Sequence, residues 1–250
     1  RAQELDPQLI ITVDNGISSI DGVALARAND IKVLITDHHL PGEEIPQDCV
    51  IVNPNQRGDS FASKSLAGVG VIFYVMAALR AHLSEINYFA DTGIGRPALT
   101  QWLDLVALGT VADVVPLDKN NRILVQHGLM HMRQKKCCCG IQALFHVAKR
   151  NVTRAVATDL GFAVAPRLNA AGRLDDMSVG VKCLLADDED AAEYYATSLD
   201  DLNKQRRNKE NTMQIEAQNA VDSMSIDAMP LGLCLFEKDW HQGIDGWFYF

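Results

Sequence analysis

Residues 32–40 read KVLITDHHL, an apolar run that stops at one carboxylate and two imidazoles. Residues 33–36 are largely apolar and β-branched, which predicts a buried strand at residues 32–36 with Asp37, His38 and His39 just beyond its end. Carboxylate and imidazole groups together suit Mn²⁺, Zn²⁺ or Fe²⁺. A polar loop in which Asp37 caps a turn would carry the same residues. The triplet alone leaves a metal or phosphate site and an ordinary turn equally open.

A second apolar strand is predicted at residues 9–13 (LIITV), and it also ends at a carboxylate, Asp14. Residues 20–29, between the two strands, carry enough apolar positions for one short helix. A strand, a helix and a strand in this order form a crossover with parallel strands, so Asp14 and the triplet emerge at one edge of the sheet. Side chains from two strand ends can then reach one ion, which favours the metal interpretation.

A largely apolar helical run at residues 99–115 contains two acidic residues, Asp104 and Asp113. Burying an ionised carboxylate without a partner is costly, and no Lys or Arg lies within one helical turn of Asp113. We therefore expect a partner from another element, and a metal ion is favoured over a hydrogen bond to the backbone. Asp104 is expected to be an exposed helix residue.

The remaining elements are predicted from the same periodicities. Gly68 and Gly70, at the start of a predicted helix, permit either a close approach to an anion or close helix packing. In residues 166–176, PRLNAAGRLDD, two arginines could reach a phosphate or form surface ion pairs. The other predicted elements are a strand at 49–52, helices at 120–134 and 141–148, a long polar helix at 187–223, and a strand at 231–236.

Composition limits the class of protein. With 250 residues and 48% hydrophobic residues, the chain can form one large or two modest domains. Its formal net charge of -9 argues against a protein that coats nucleic acid through a global positive field, although a local basic groove is compatible with it. The sequence contains neither a membrane span nor a signal peptide, so we expect a cytoplasmic protein with no membrane partner.

Several motifs follow one another between about residues 10 and 243: VDNGIS, TDHHLPG, NPN, SLAGVGV, LDLVALGTVADVVPL, PRLNAAGRLDD and DWHQG. In this order they closely resemble the bacterial single-strand-specific 5′ to 3′ exonucleases of the DHH phosphoesterase family. The resemblance implies an α/β fold, with a parallel sheet and flanking helices, a helical region and a long helix leading into a second α/β domain. The implied parts are the catalytic domain at 1–135, its helical part at 136–186, the long helix at 187–225 and the start of the second domain at 226–250.

The resemblance also implies roles for individual residues. Asp14 would bridge two Mn²⁺ or Mg²⁺ ions, and His38 and Asp113 would bind one of them. His39 would face the scissile phosphate, and Asp37 would orient an imidazole. The residues implied to contact DNA are His39, Arg167, Asn169 and Arg173.

The implied activity is hydrolysis of phosphodiester bonds in single-stranded DNA by two-metal-ion catalysis, in DNA repair and recombination. Besides single-stranded DNA, the implied partners are single-strand-binding protein and a helicase. The family's first aspartate-rich motif is expected upstream of Arg1, and the sequence after Gly243 departs from the family. We therefore expect the chain by itself to be weakly active or inactive.

Two other functions stay open. The first is a DHH phosphodiesterase or pyrophosphatase that acts on short oligonucleotides or small phosphates. The second is a non-catalytic scaffold that binds DNA.

Overall fold

The computed structural model describes residues 2–222, 233–241 and 243–244. The chain divides into two units. The first unit comprises Arg1–Cys137 and Thr153–Gly161, and the second comprises Cys138–Val152 and Phe162–Phe250.

The first unit contains a parallel sheet of three strands in sequence order, β1 (Leu9–Val13), β2 (Lys32–Thr36) and β3 (Val50–Val52). Val13 pairs with Thr36, and Thr36 pairs with Val52, so the three strands end at the same edge. The predicted α/β fold with a parallel sheet is confirmed. The helices, in chain order, are α1 (Ile20–Ala28), α2 (Gly68–Glu85), α3 (Tyr88–Thr92), α4 (Leu103–Ala112), α5 (Lys119–Arg133), α6 (Cys139–Val147), α7 (Ala157–Asp159), α8 (Ala165–Leu174), α9 (Ser178–Leu184) and α10 (Glu189–Asp222).

Two apolar clusters hold the first unit together. Val23 of α1 packs against Val33 and Ile35 of β2, which covers one face of the sheet. A second cluster joins α2, α4 and α5 through Leu66, Val71, Leu103, Val106 and Leu124. Burial of such side chains contributes most of the stabilisation of a fold of this kind. It also fixes the start of α2 and the end of α4 relative to their neighbours.

In the second unit, α6, α8 and α9 pack on the long helix α10. The buried positions of α10 include Ala192, Ala196, Leu199, Ala217 and Val221. On either side of the stretch between Leu199 and Ala217 these positions are three or four residues apart, so they lie along one face of the helix predicted at residues 187–223. None of the helices in the described part of the chain is both long and apolar enough to cross a bilayer.

Several local predictions were wrong. Residues 99–115 are not one helix, because a 3₁₀ turn (Leu99–Trp102) precedes α4, and Asp113 caps its end. Asp104 is 1% exposed rather than exposed, since neighbouring helices cover most of α4. The apolar pattern of β1 would suit a buried strand, but Leu9, Ile11 and Val13 are each about half exposed on this edge strand of the described sheet.

The predicted strand at 231–236 is not formed in its described part, residues 233–236, which are irregular. Residues 231 and 232 lie outside the described residues, as does most of the second domain expected at 226–250.

Candidate metal centre

Three side chains from separate elements meet at the common edge of the sheet. Asp14 directly follows β1, His38 lies two residues after the end of β2, and Asp113 is the C-cap residue of α4. The Nε2 atom of His38 lies 3.0 Å from Oδ1 of Asp14 and 3.4 Å from Oδ2 of Asp113. The structure thus brings together the three residues that the sequence proposed as ligands of one ion.

The Nε2 atom of His38 is buried and has no hydrogen-bond partner, although two carboxylates lie close to it. A buried polar atom of this kind normally has a hydrogen-bond partner. The lack of a partner is typical of an atom that binds an ion or substrate. One imidazole nitrogen and two carboxylates form a donor set that suits Mn²⁺ well. The residues present therefore fit a divalent cation.

The two carboxylates also favour a cation electrostatically. Burial raises the pKa of Asp113, and the nearby charge of Asp14 raises it further, while His38 acts in the opposite direction. Two like charges that converge on one point are destabilising unless a positive charge lies between them. The donor atoms of Asp14, His38 and His39 lie within 4.8 Å of one another, so the second histidine borders the same space.

Asp37 contacts the imidazole of His39 rather than that of His38. Its Oδ1 atom lies 2.7 Å from Nδ1 of His39, and its Oδ2 atom accepts a hydrogen bond from the amide of Ile17 at 2.8 Å. Burial alone would raise the pKa of Asp37, but the hydrogen bonds from Ile17, His39 and His38 outweigh it and keep the pKa below its ordinary value. The same contact raises the pKa of His39. With Nδ1 engaged, Nε2 of His39 is the ring nitrogen left for a substrate oxygen.

Backbone geometry contributes to the placement of Asp14. This residue has a positive φ of 66°, an uncommon conformation for a residue with a side chain, and its amide donates to the Thr36 carbonyl at 2.9 Å. A Cβ atom on Gly68, the first residue of α2, would overlap the Asp14 carboxylate. Gly70 lies instead against Leu66. Both glycines therefore pack closely against side chains of the chain itself, and the approach of a bound anion to either one stays a prediction.

The proposed DNA-contacting residues of the PRLNAAGRLDD motif lie on α8 in the second unit. The guanidinium of Arg167 is largely buried and is engaged by Asp200, with Nε and Nη2 at 2.8 and 2.7 Å from Oδ1. Asn169 is exposed, and so is Arg173, which donates to the Gly243 carbonyl at 3.0 Å. An ion pair is therefore observed for Arg167, but its partner lies on α10 rather than in the motif.

Sequence reasoning missed two residues next to the site. Asn53 and Asn55, in the turn after β3, donate to the backbone carbonyls of His39 and His38. The available signal was the position of the NPN motif, which follows the strand adjacent to the one that carries the histidines.

Residues 2–110 match the family model described as the DHH family, N-terminal domain. Over these residues the chain is therefore similar to the DHH family. It is 55% identical over 241 residues to the single-stranded-DNA-specific exonuclease RecJ of Dickeya dadantii, an alignment that covers 96% of this chain. The family resemblance found in the sequence is thereby confirmed. The chain spans 42% of the length of that relative.

Two solved structures are also similar. The crystal structure of RecJ from Thermus thermophilus in complex with Mn²⁺ is 29% identical, with a TM-score of 0.78, and covers 97% of this chain and 34% of that one. The complex of RecJ from the same organism with Mg²⁺ has a TM-score of 0.61 at 29% identity, and covers 84% of this chain and 27% of that one.

Proposed function

We propose that this chain carries part of the catalytic site of a metal-dependent exonuclease that hydrolyses single-stranded DNA in the 5′ to 3′ direction. Asp14, His38 and Asp113 would bind one Mn²⁺ or Mg²⁺ ion. The side chain of Asp14 is 56% exposed, which leaves it accessible to a second ion. The observation that carries the proposal is the buried, unpartnered Nε2 atom of His38 between two carboxylates. Similarity to nucleases whose structures contain Mn²⁺ and Mg²⁺ supports it.

Divalent ions supply Lewis-acid stabilisation of the charge that develops on a phosphodiester, and they lower the pKa of bound water. The chain's own residues do the positioning. Asp37 fixes the ring of His39 through Nδ1, which leaves Nε2 to face a substrate. Through Nε2, His39 contacts a phosphate oxygen and so helps to hold the strand.

A separate DNA-binding surface is proposed in the second unit. Asn169 and Arg173 are exposed on α8 and can contact the sugar–phosphate backbone. Arg167 belongs to the same surface, where its pairing with Asp200 leaves fewer donors for phosphate. The family also suggests a role in DNA repair and recombination, with single-strand-binding protein and a helicase as partners.

The proposal is tested by incubating the chain with Mn²⁺ and three substrates: a long single strand labelled at each end in turn, the matching duplex, and a dinucleotide. We expect slow release of nucleotides from the 5′ end of the single strand, lost with EDTA and in His38→Ala. Preference for the dinucleotide would favour a small-substrate phosphodiesterase. DNA binding without Mn²⁺ binding would favour a scaffold.

A further inference from the structure

The backbone of the His38–His39 pair is held by side chains that do not themselves reach the proposed ion site. Oδ1 of Asp37 accepts hydrogen bonds from the amides of His38 and His39 at 2.7 and 3.1 Å. On the other side, Nδ2 of Asn55 donates to the His38 carbonyl at 2.5 Å, and Nδ2 of Asn53 donates to the His39 carbonyl at 2.9 Å. Three side chains thus bond all four backbone polar groups of the two histidines.

We propose that Asn53 and Asn55 are positioning residues, which set the directions of the two imidazoles by fixing the peptide groups of His38 and His39. The proposal rests on the function proposed above and deepens it. The rotamers open to a side chain depend on its backbone dihedrals, so a fixed peptide restricts where an imidazole nitrogen can point. Groups that orient metal ligands in this way contribute strongly to metal affinity.

The turn that carries the two asparagines is itself fixed. Asn53 is 2% exposed, and its Oδ1 atom accepts a hydrogen bond from the amide of Asn55 at 2.8 Å. Nζ of Lys64 donates to the Pro54 carbonyl at 2.5 Å and also to the carbonyl and Oδ1 of Asp59. Lys64 holds the turn, and the hydrogen bonds between β3 and β2 hold the end of the strand that precedes it. The asparagine amides therefore have little freedom to leave the histidine carbonyls.

The amide group is the required feature at both positions. Asparagine donates from Nδ2 to one carbonyl, and in Asn53 the oxygen of the same side chain also accepts from a backbone amide. An ionised aspartate has nearly the same shape but cannot donate, and its charge is repelled by the carbonyl oxygen. The substitution Asn55→Asp therefore removes the positioning contact with little change in packing.

The test compares Mn²⁺ binding by the whole chain and by Asn55→Asp, using calorimetry. Asn29→Asp is the matched control, because Nδ2 of Asn29 likewise donates to a backbone carbonyl, that of Leu25, at 2.7 Å at the end of α1. We expect Asn55→Asp to weaken Mn²⁺ binding about tenfold or more, and Asn29→Asp to leave it unchanged. Both variants should lower the unfolding temperature by similar amounts.

A second measurement does not depend on metal binding. In the metal-free chain, the imidazole ¹H–¹³C signals of His38 and His39 should shift or broaden in Asn55→Asp but not in Asn29→Asp. Unchanged Mn²⁺ affinity together with unchanged imidazole signals would overturn the proposal. If the wild-type chain fails to bind Mn²⁺, the proposed metal site is wrong, while the imidazole signals still decide whether Asn55 positions the histidines.

Discussion

Gly68 lies against the carboxylate of Asp14 so closely that any side chain at position 68 would overlap it. The contact ties the first residue of α2 to the residue that follows β1. A Cβ atom at position 68 would overlap Cβ and Cγ of Asp14 as well as Oδ1, so rotation of the carboxylate group alone does not relieve the overlap. The direction of this carboxylate therefore depends on the absence of a Cβ atom.

The first prediction is that Gly68→Ala displaces the Asp14 carboxylate and weakens Mn²⁺ binding about tenfold or more, by analogy with losses of ligand-orienting groups. Gly22→Ala is the control, because a Cβ atom there meets no atom within 4 Å and lies within α1. It should raise the free energy of unfolding by about 0.5–1 kcal/mol and leave Mn²⁺ affinity unchanged. Calorimetry and urea unfolding measure the two quantities. Equal Mn²⁺ affinity in both variants would contradict the role of Gly68.

The second prediction concerns Asp118, the N-cap of α5. Burial would raise its pKa, but hydrogen bonds from the Asn121 amide at 2.8 Å and the Ser63 hydroxyl at 2.7 Å outweigh it and lower the pKa. A lowered pKa stabilises the fold above the unfolded-state value of about 3.9, and this stabilisation is lost as pH falls through the folded-state value. Asp118→Ala should cost about 0.5–2 kcal/mol at pH 7.

The loss in Asp118→Ala should become smaller as pH falls below about 3.9, where the unfolded chain binds the proton first, and smallest once the folded carboxylate is protonated as well. Asp118→Asn keeps an acceptor for the Asn121 amide and should retain most of the stability at pH 7, without this pH dependence. Urea unfolding between pH 3 and pH 7 measures all three proteins. A loss in Asp118→Ala that is independent of pH would show that the ionised carboxylate is unimportant.

The third prediction concerns the Arg167–Asp200 pair, whose side chains are 14% and 13% exposed. Arg167→Met should lower the free energy of unfolding by about 1.5–3 kcal/mol, because Asp200 loses hydrogen bonds from a charged donor while Lys204 still neutralises it in part. Lys204→Met, at a side chain 63% exposed, should cost less. A larger loss of stability in Lys204→Met than in Arg167→Met would refute this ranking.

The fourth prediction separates DNA binding from stability on α8. Arg173→Gln should weaken binding of single-stranded DNA at low salt. It should also reduce the slope of the logarithm of the binding constant against the logarithm of the salt concentration by about 1, the effect of losing one phosphate contact. Its unfolding temperature should stay close to that of the wild-type chain, in contrast to Arg167→Met. Fluorescence anisotropy across a salt series is the measurement. An unchanged salt dependence would remove Arg173 from the proposed DNA surface.

The sequence was sufficient to predict where Asp14 and His38 would meet. Two apolar strands joined by one helix permit few arrangements, and the parallel register that they form brings the following residues to one edge. The lack of a nearby cation likewise predicted that Asp113 needs a partner from another element, and His38 lies 3.4 Å from it.

Other features depended on contacts between distant segments. Asp104 lies in an apolar run whose pattern does not show which face is exposed, and its burial follows from the helices around α4. Arg167 pairs with Asp200, 33 positions away, which no local pattern indicates. The donation of Asn55 to the His38 carbonyl spans 17 positions and is equally invisible in the sequence.

The most direct test of the proposed site is Mn²⁺ binding by calorimetry, using the wild-type chain, His38→Ala and Asp113→Ala. His127→Ala is the control, because His127 is an exposed histidine on α5. We predict saturable binding by the wild-type chain and by His127→Ala, and its loss in the other two variants. Absence of binding in a folded wild-type chain, or wild-type affinity in His38→Ala, would contradict the assignment of Asp14, His38 and Asp113 as a metal centre.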